Sequence, residues 1–325
     1  MTFVPQYSLA PLALTGGGVD RGGEDRRKQG WLDSALERGS TRLLAVVGGK
    51  TLVLDDALAA PELGAPGVRA GLAEATVLVW LGRVDGVDGA AGVDWVAAQF
   101  VQEPQWWARA SAGGATPVGL RGAAELSRTD AALLTQAVAV LNWHSVTSFC
   151  SRCGAPNEVV DAGWVRRCTA QGTDHFPRTD PAVIVLVTDA HDRVLLGANA
   201  AWGGDRFSML AGFVEPGESL EEAVIREVGE ESGVSLDAPR YLGSQPWPLP
   251  ASLMVAFHAM ALSTHTVPDG QEIVATRWFT RDELASEVAA GSIGVPGGVS
   301  VAGAMLRAWF GGELPTPATS KEARK

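Results

Sequence analysis

A chain of 325 residues is long enough for roughly two domains and a small third module. Its 46% hydrophobic and 19% charged residues describe a soluble globular protein with a sizeable core. Lys plus Arg number 26 against 37 Asp plus Glu, a net charge of −11; this excludes a general electrostatic nucleic-acid binder, though not capture of one strand end. The apolar run at 9–14 is too short for a secretory signal and follows no basic stretch. No segment approaches the roughly 20 apolar residues that span a bilayer, so no membrane partner and a cytoplasmic location are expected. Three cysteines, two of them in a C-x-x-C, point to metal or redox chemistry and away from a disulfide framework.

Residues 1–125 are rich in Gly and Ala and show no catalytic constellation. LLAVVGGKTLVL predicts a hairpin around Gly48-Gly49, and ATVLVWLGRV a further strand. A helix is predicted over 127–144, with Leu133, Leu134, Ala137, Val138 and Leu141 at helical spacing. The cysteine cluster follows. From Pro181 the pattern turns to strands: AVIVLVTD and RVLLGANA as a hairpin across Ala190-His191-Asp192, then FSMLAGFV. A helix, three strands (RYLGSQPW, SLMVAFHAMAL, IVATRWFT) and two further helices complete a mixed α/β domain. The expected boundaries are an N-terminal domain at 1–125, a helix plus ribbon-like module at 126–180, a catalytic domain at 181–315 and a frayed tail at 316–325.

The helix in GFVEPGESLEEAVIREVGEESGV carries the first chemical signal. Ser219 is its cap, Glu222 completes a capping box, and Gly233 suits its end. Leu220, Ala223, Val224 and Val228 form an apolar stripe, yet at about 100° per residue Glu227 and Glu231 fall within about 20° of the stripe's centre. Glu230 lies on its edge. These acids sit at the negative end of the helix dipole and repel one another, and Arg226 points roughly 100° away. A hard divalent cation removes these objections together. Gly212 and Gly217 in the preceding loop allow close backbone approach, which suits a diphosphate beside the metal.

This stretch resembles the Nudix box. Gly212, Glu218, Arg226, Glu227, Val228, Glu230, Glu231, Gly233 and Val234 fill its fixed positions. The resemblance implies an α+β Nudix fold, a mixed sheet sandwiched by helices, and hydrolysis of a nucleoside diphosphate derivative with Mg2+ or Mn2+. It places the cation on Glu227, Glu230, Glu231, the Ala211 carbonyl and a later acid. By the same resemblance Glu231 would act as general base or hold the attacking water's metal, and Arg226 would orient the acids.

SQPWPLPASLM gives the second signal. Pro246, Pro248 and Pro250 alternate, which rules out a central strand and predicts a stiff extended wall with Trp247 as its aromatic face. Gln245 and Ser252 offer hydrogen bonds at its ends. Downstream of a Nudix box it is similar to the signature of the NADH pyrophosphatase family, with Leu249 in place of the usual Phe. The resemblance implies an N-terminal α+β domain, a zinc ribbon, a homodimer, and cleavage of NAD(H) to nicotinamide mononucleotide and AMP; related members remove NAD caps from RNA. It assigns substrate contacts to Gln245, Pro246, Trp247, Pro248, Leu249, Pro250, Ala251 and Ser252. It also matches Glu272 to the later acid, Phe176 and Phe213 to an adenine sandwich, and Ala302 to a backbone contact. The alternatives are a Nudix hydrolase of another substrate, such as ADP-ribose, and a non-catalytic nucleotide sensor.

Cys150, Cys153 and Cys168 have ribbon spacing, but the fourth cysteine expected at 171 is Gln171, a poor zinc ligand. Either His175 supplies the fourth contact to Zn2+, or the ribbon folds without metal around Trp164. Its role is structural in both cases.

Overall fold

The computed structural model describes residues 7–85 and 92–316; the expected tail beyond 316 lies outside them. Two compact units emerge, one of Leu14–Thr179 and Pro246–Ala251, the other of Met1–Ala13, Asp180–Gln245 and Ser252–Lys325.

The first unit begins with β1 (Val19–Asp20), α1 (Trp31–Glu37), β2 (Arg42–Val47), β3 (Lys50–Leu54) and β4 (Ala57–Leu58). It continues through α2 (Val68–Gly71), β5 (Val77–Val84), β6 (Val93–Phe100), α3 (Gln105–Ala112), β7 (Thr116–Gly119) and α4 (Arg128–Val146). The strands order as β1-β5-β6-β2-β3-β4 with β7 on β3, and β2 runs parallel to β6. The predicted hairpin is there: Val47 faces Lys50 across Gly48 and Gly49, whose φ angles of 55° and 75° require glycine-like freedom. Leu43, Ala45, Leu52, Trp80, Val96 and Ala98 bury one sheet face against Trp106 and Trp107 of α3. Ser127, expected as the first residue of this helix, is instead its cap, accepting from Asp130 N, and α4 runs on to Val146. The helix packs on β5 and β2, and Gln136 donates from it to the Leu81 carbonyl. It therefore covers the N-terminal sheet and does not pair off with the ribbon alone. The ribbon itself is a three-stranded sheet of β8 (Asn157–Val160), β9 (Val165–Cys168) and β10 (Asp174–His175).

The second unit holds β11 (Asp180–Thr188), β12 (Val194–Asn199), β13 (Phe207–Ser208), β14 (Leu210–Phe213) and α5 (Leu220–Ser232). It closes with β15 (Arg240–Trp247), β16 (Ser252–Met260), β17 (Ile273–Phe279), α6 (Arg281–Ala289) and α7 (Val301–Phe310). The sheet orders as β13-β12-β11-β16-β15, with β14 on β11 and β17 on β12. The strand period of two divides β11 between two cores. Val183, Val185 and Val187 face α5, while Ile184 and Leu186 face α6 and α7. A mixed sheet covered by helices on both faces is the result, as expected. Tyr7, Leu9 and Leu12 pack on the α7 side, so this apolar run is part of the core of the second unit.

Candidate active site

The site is built on α5 and β14. Ser219 accepts from Glu222 N at 3.2 Å while Glu222 accepts from Ser219 N at 2.8 Å, completing the capping box. Gly233 ends the helix at φ 72°. Val224 and Val228, both fully buried, each contribute on the order of 1.5–3 kcal/mol. That is enough to hold the helix down on β11 and β14 while it buries an acid.

That acid is Glu231, only 5% exposed. Its Oε2 accepts from Ala211 N at 3.2 Å. Burial first, then the charges of Glu272 and Glu227, push its carboxyl up to about 8. Burial likewise raises Glu227, against the pull of Arg226. The Glu227 carboxylate occupies the space a side chain at 212 would need: a Cβ there would meet it at 2.0–2.2 Å. Gly212 is thus a cradle for Glu227.

Arg226 leaves the helix away from the stripe, yet its long side chain curls back. Nη1 lies 2.9 Å from Glu227 Oε1. Its Nε and Nη2 form a fork on Glu218, at 2.8 and 2.9 Å, and Nη2 also donates to the Phe213 carbonyl at 2.9 Å. Arg226 holds Glu218 down to about 2. Glu218 is therefore the anchor of the arginine, a role signalled in the sequence only by its fixed place in the box. Glu230 differs from expectation. Its side chain is 62% exposed and pairs with Arg226 at 3.1 Å, because its place at the stripe's edge turns it to solvent, outside the acid group.

Glu272 stands where β17 begins, with Asn199 Nδ2 3.4 Å from its Oε1. The loop before it is shaped by Asp269, whose Oδ1 accepts from the N–H groups of Gln271, Glu272 and Ile273 at 2.8–3.0 Å. Asp269-Gly270 is a turn signal the sequence reading passed over. Among the described residues, no three carboxylates bring ligand atoms within 4.8 Å of one another. They act on each other through charge, and Glu231 has one N–H partner. A hard cation fits such a donor set.

The proline segment is partly strand: β15 includes Pro246 and Trp247. The strand expected over RYLGSQPW is thus there to its last residue, and it lies at the sheet edge, where proline is tolerated. A turn over 248–251 follows, held by Asn142 Nδ2, which donates to Pro248 O at 2.9 Å and Pro250 O at 3.4 Å. The Arg121 guanidinium lies 5.4 Å from the Trp247 ring centroid and fixes the ring by a cation–π contact. Leu249 is exposed, Ala251 half-buried, and Ser252 buried at the start of β16. Gln245 is a correction. Expected at the substrate edge, it is wholly buried, donating to Ala13 O (2.8 Å) and Val299 O (2.7 Å) and accepting from Val301 N (2.7 Å). It pins the chain and offers nothing outward. Ala302 is buried in the first turn of α7. Phe213, 56% exposed, ends β14 beside the acids; Phe176, 65% exposed, follows the ribbon in the first unit.

In the ribbon, the sulfurs of Cys150, Cys153 and Cys168 lie within 4.8 Å of one another, with Cys153 and Cys168 3.5 Å apart. Backbone N–H groups, Arg152's first, lower the Cys150 thiol to about 6, helped by the His175 imidazole. Gln171 is exposed. Trp164 donates to the Trp80 carbonyl at 2.8 Å and carries Arg26 on its ring. His144, not singled out in the sequence, links ribbon and helix: its Nε2 bonds Gly163 O at 2.8 Å and its Nδ1 accepts from Arg166 at 2.9 Å.

Three family models match the chain: "NUDIX domain" at 178–294, "NADH pyrophosphatase zinc ribbon domain" at 147–176 and "NADH pyrophosphatase-like rudimentary NUDIX domain" at 40–143. The NAD-capped RNA hydrolase NudC of Mycobacterium bovis (strain BCG / Pasteur 1173P2) is 40% identical over 291 residues, covering 86% of this chain and 87% of its own length. The human NAD-capped RNA hydrolase NUDT12 is 36% identical over 198 residues, 57% of this chain and 43% of that one. A crystal structure of a NUDIX hydrolase from Nitrosomonas europaea shares 22% identity over 52% of this chain and 96% of its own, at a TM-score of 0.42. By its domain composition and its identity to NudC over most of both chains, this protein belongs to the NADH pyrophosphatase family of Nudix hydrolases.

Proposed function

We propose that this enzyme hydrolyses the diphosphate bond of NAD(H) to nicotinamide mononucleotide and AMP, and removes NAD caps from RNA 5′ ends. The observation that carries the reading is the buried Glu231 carboxyl on the Nudix helix, its Oε2 on Ala211 N, with Glu227 one turn earlier in the Gly212 cradle. Oε2 is held by Ala211 N, which leaves Oε1 to take the proton of the attacking water. Water adds to one phosphorus, and the bridging oxygen leaves with the other. Arg226, fixed by Glu218, holds Glu227 in its Gly212 cradle. Glu227, Glu231, Glu272 and the Ala211 carbonyl are the residues that would hold Mg2+ or Mn2+, which supplies charge neutralisation at the diphosphate. Phe213, exposed at the end of β14 beside the acids, offers a ring face to one of the bases. The same reading includes structural Zn2+ on the three ribbon cysteines, a homodimer and a cytoplasmic setting.

A substrate panel tests it. Purified protein with Mg2+ or Mn2+ is given NADH, NAD+, ADP-ribose and NAD-capped RNA, and products are identified by mass. AMP with nicotinamide mononucleotide from NAD(H), and decapped RNA, are expected. Turnover of ADP-ribose alone contradicts the reading.

A further inference from the structure

The ribbon is built from two knuckles with the same backbone pattern. In the first, Cys150 N donates to Ala155 O at 2.8 Å and Gly154 N to Cys150 O at 2.9 Å, with Gly154 at φ 74°. In the second, Cys168 N donates to Thr173 O at 2.9 Å and Gly172 N to Cys168 O at 2.9 Å, with Gly172 at φ 67°. Superposing the two patterns puts Gln171 where the first knuckle has Cys153. The backbone is thus shaped for four ligands while the side chains offer three thiolates. The 3.5 Å between Cys153 and Cys168 approaches the roughly 3.8 Å edge of a zinc–thiolate tetrahedron with bonds of about 2.3 Å. Gln171 is exposed and presents a neutral amide, a donor that zinc disfavours.

The strand after the second knuckle runs back along β9. β10 pairs with β9, Asp174 opposite Arg167 and His175 opposite Arg166, and Arg167 clamps Asp174 at 2.7 and 3.1 Å. His175 Nε2 is buried without a hydrogen-bond partner. The contrast with the two buried histidines is informative: His144 bonds through both ring nitrogens, and His258 Nε2 meets Thr188 Oγ1 at 2.9 Å. A buried ring nitrogen without a partner calls for a ligand. The imidazole stands against Cys150, next to the thiol triad and not within it.

We propose that His175 Nε2 is the fourth ligand of the ribbon zinc, replacing the thiolate that Gln171 has displaced. The inference rests on the zinc reading given above, and the site becomes a closed Cys3His centre. An imidazole in place of a fourth thiolate leaves the centre with one negative charge fewer.

The test uses the full chain, stripped of metal and titrated with Zn2+ and Co2+. Thiolate-to-cobalt charge transfer reports the ribbon alone, because carboxylates on α5 give none. Wild type should bind Co2+ tetrahedrally, and on Zn2+ addition the 15N signal of one His175 ring nitrogen should move to the metal-bound range; only 5 histidines need assigning. His175→Ala should bind at least tenfold more weakly, and Gln171→Cys added to it should restore affinity with a four-thiolate spectrum. Zinc bound by wild type with unchanged His175 signals, or unchanged affinity in His175→Ala, overturns the inference and leaves the zinc reading standing. No metal bound by the wild-type thiols overturns both. Should His175→Ala fail to fold, the 15N signals of wild type decide.

Discussion

Without a cation, burial holds the Glu231 carboxyl neutral well above the ordinary carboxylate range. An unfolded glutamate titrates near 4.5, whereas Glu231 in the folded, cation-free protein titrates near 8. Between these values the folded chain keeps a proton that the unfolded chain has released, so stability falls as pH rises, by up to about 1.4 kcal/mol per unit. The contribution is complete below about 4.5 and is lost as pH climbs through 8. Glu231→Gln should therefore raise the Tm of chelator-treated protein at pH 8 and leave it nearly unchanged at pH 5. Equal effects at both pH values would contradict a buried, raised carboxyl. Gly212→Ala tests the neighbouring contact. Its methyl group would collide with the Glu227 carboxylate, so activity should drop at least tenfold with little change in Tm. Wild-type activity in this variant would remove the cradle from the mechanism. The sequence made Glu227 and Glu231 visible because carboxylates on an apolar stripe conflict with helix energetics. Gln245 is harder to read, for the opposite reason. A polar residue in a binding motif looks like a ligand contact, and its three partners, Ala13, Val299 and Val301, are far away in the chain.

At the level of elements, α5 was readable to its ends because cap, box and terminal glycine are local signals. The β11–β12 hairpin was readable from its strand runs and turn. β6 and α3 were not drawn from the Gly- and Ala-rich N-terminal region, where neither period stands out. Membership was harder still: α4 precedes the ribbon in sequence but covers the N-terminal sheet. Gln245 supports a prediction at this scale. It ties β15 to the N-terminal run and to the first turn of α7, so Gln245→Leu should cost on the order of 2–4 kcal/mol and lower Tm by several degrees. Trp247→Ala, by contrast, should leave Tm within a few degrees and raise KM for NADH at least tenfold. An equal loss on dinucleotides and simple diphosphates would assign Trp247 to folding.

For the molecule as a whole, charge limits how RNA can be held. With a net charge of −11, capture of a capped strand should depend on its end and not on a long run of phosphates. Each phosphate neutralised on a single strand contributes about −0.7 to the slope of log affinity against log salt. The slope of log kcat/KM for NAD-capped RNA should then stay within about 1–2 of that for NADH. A slope of about −5 would reveal an extended basic track.

The most direct measurement compares AMP release from NADH by wild type and by the Glu227→Gln, Glu231→Gln double variant, at saturating Mn2+ and with folding verified by Tm. Wild type should release AMP and reduced nicotinamide mononucleotide in equal amounts. The variant should be slower by at least a hundredfold, about 3 kcal/mol of barrier. Turnover by the variant at the wild-type rate would contradict catalysis by the α5 carboxylates.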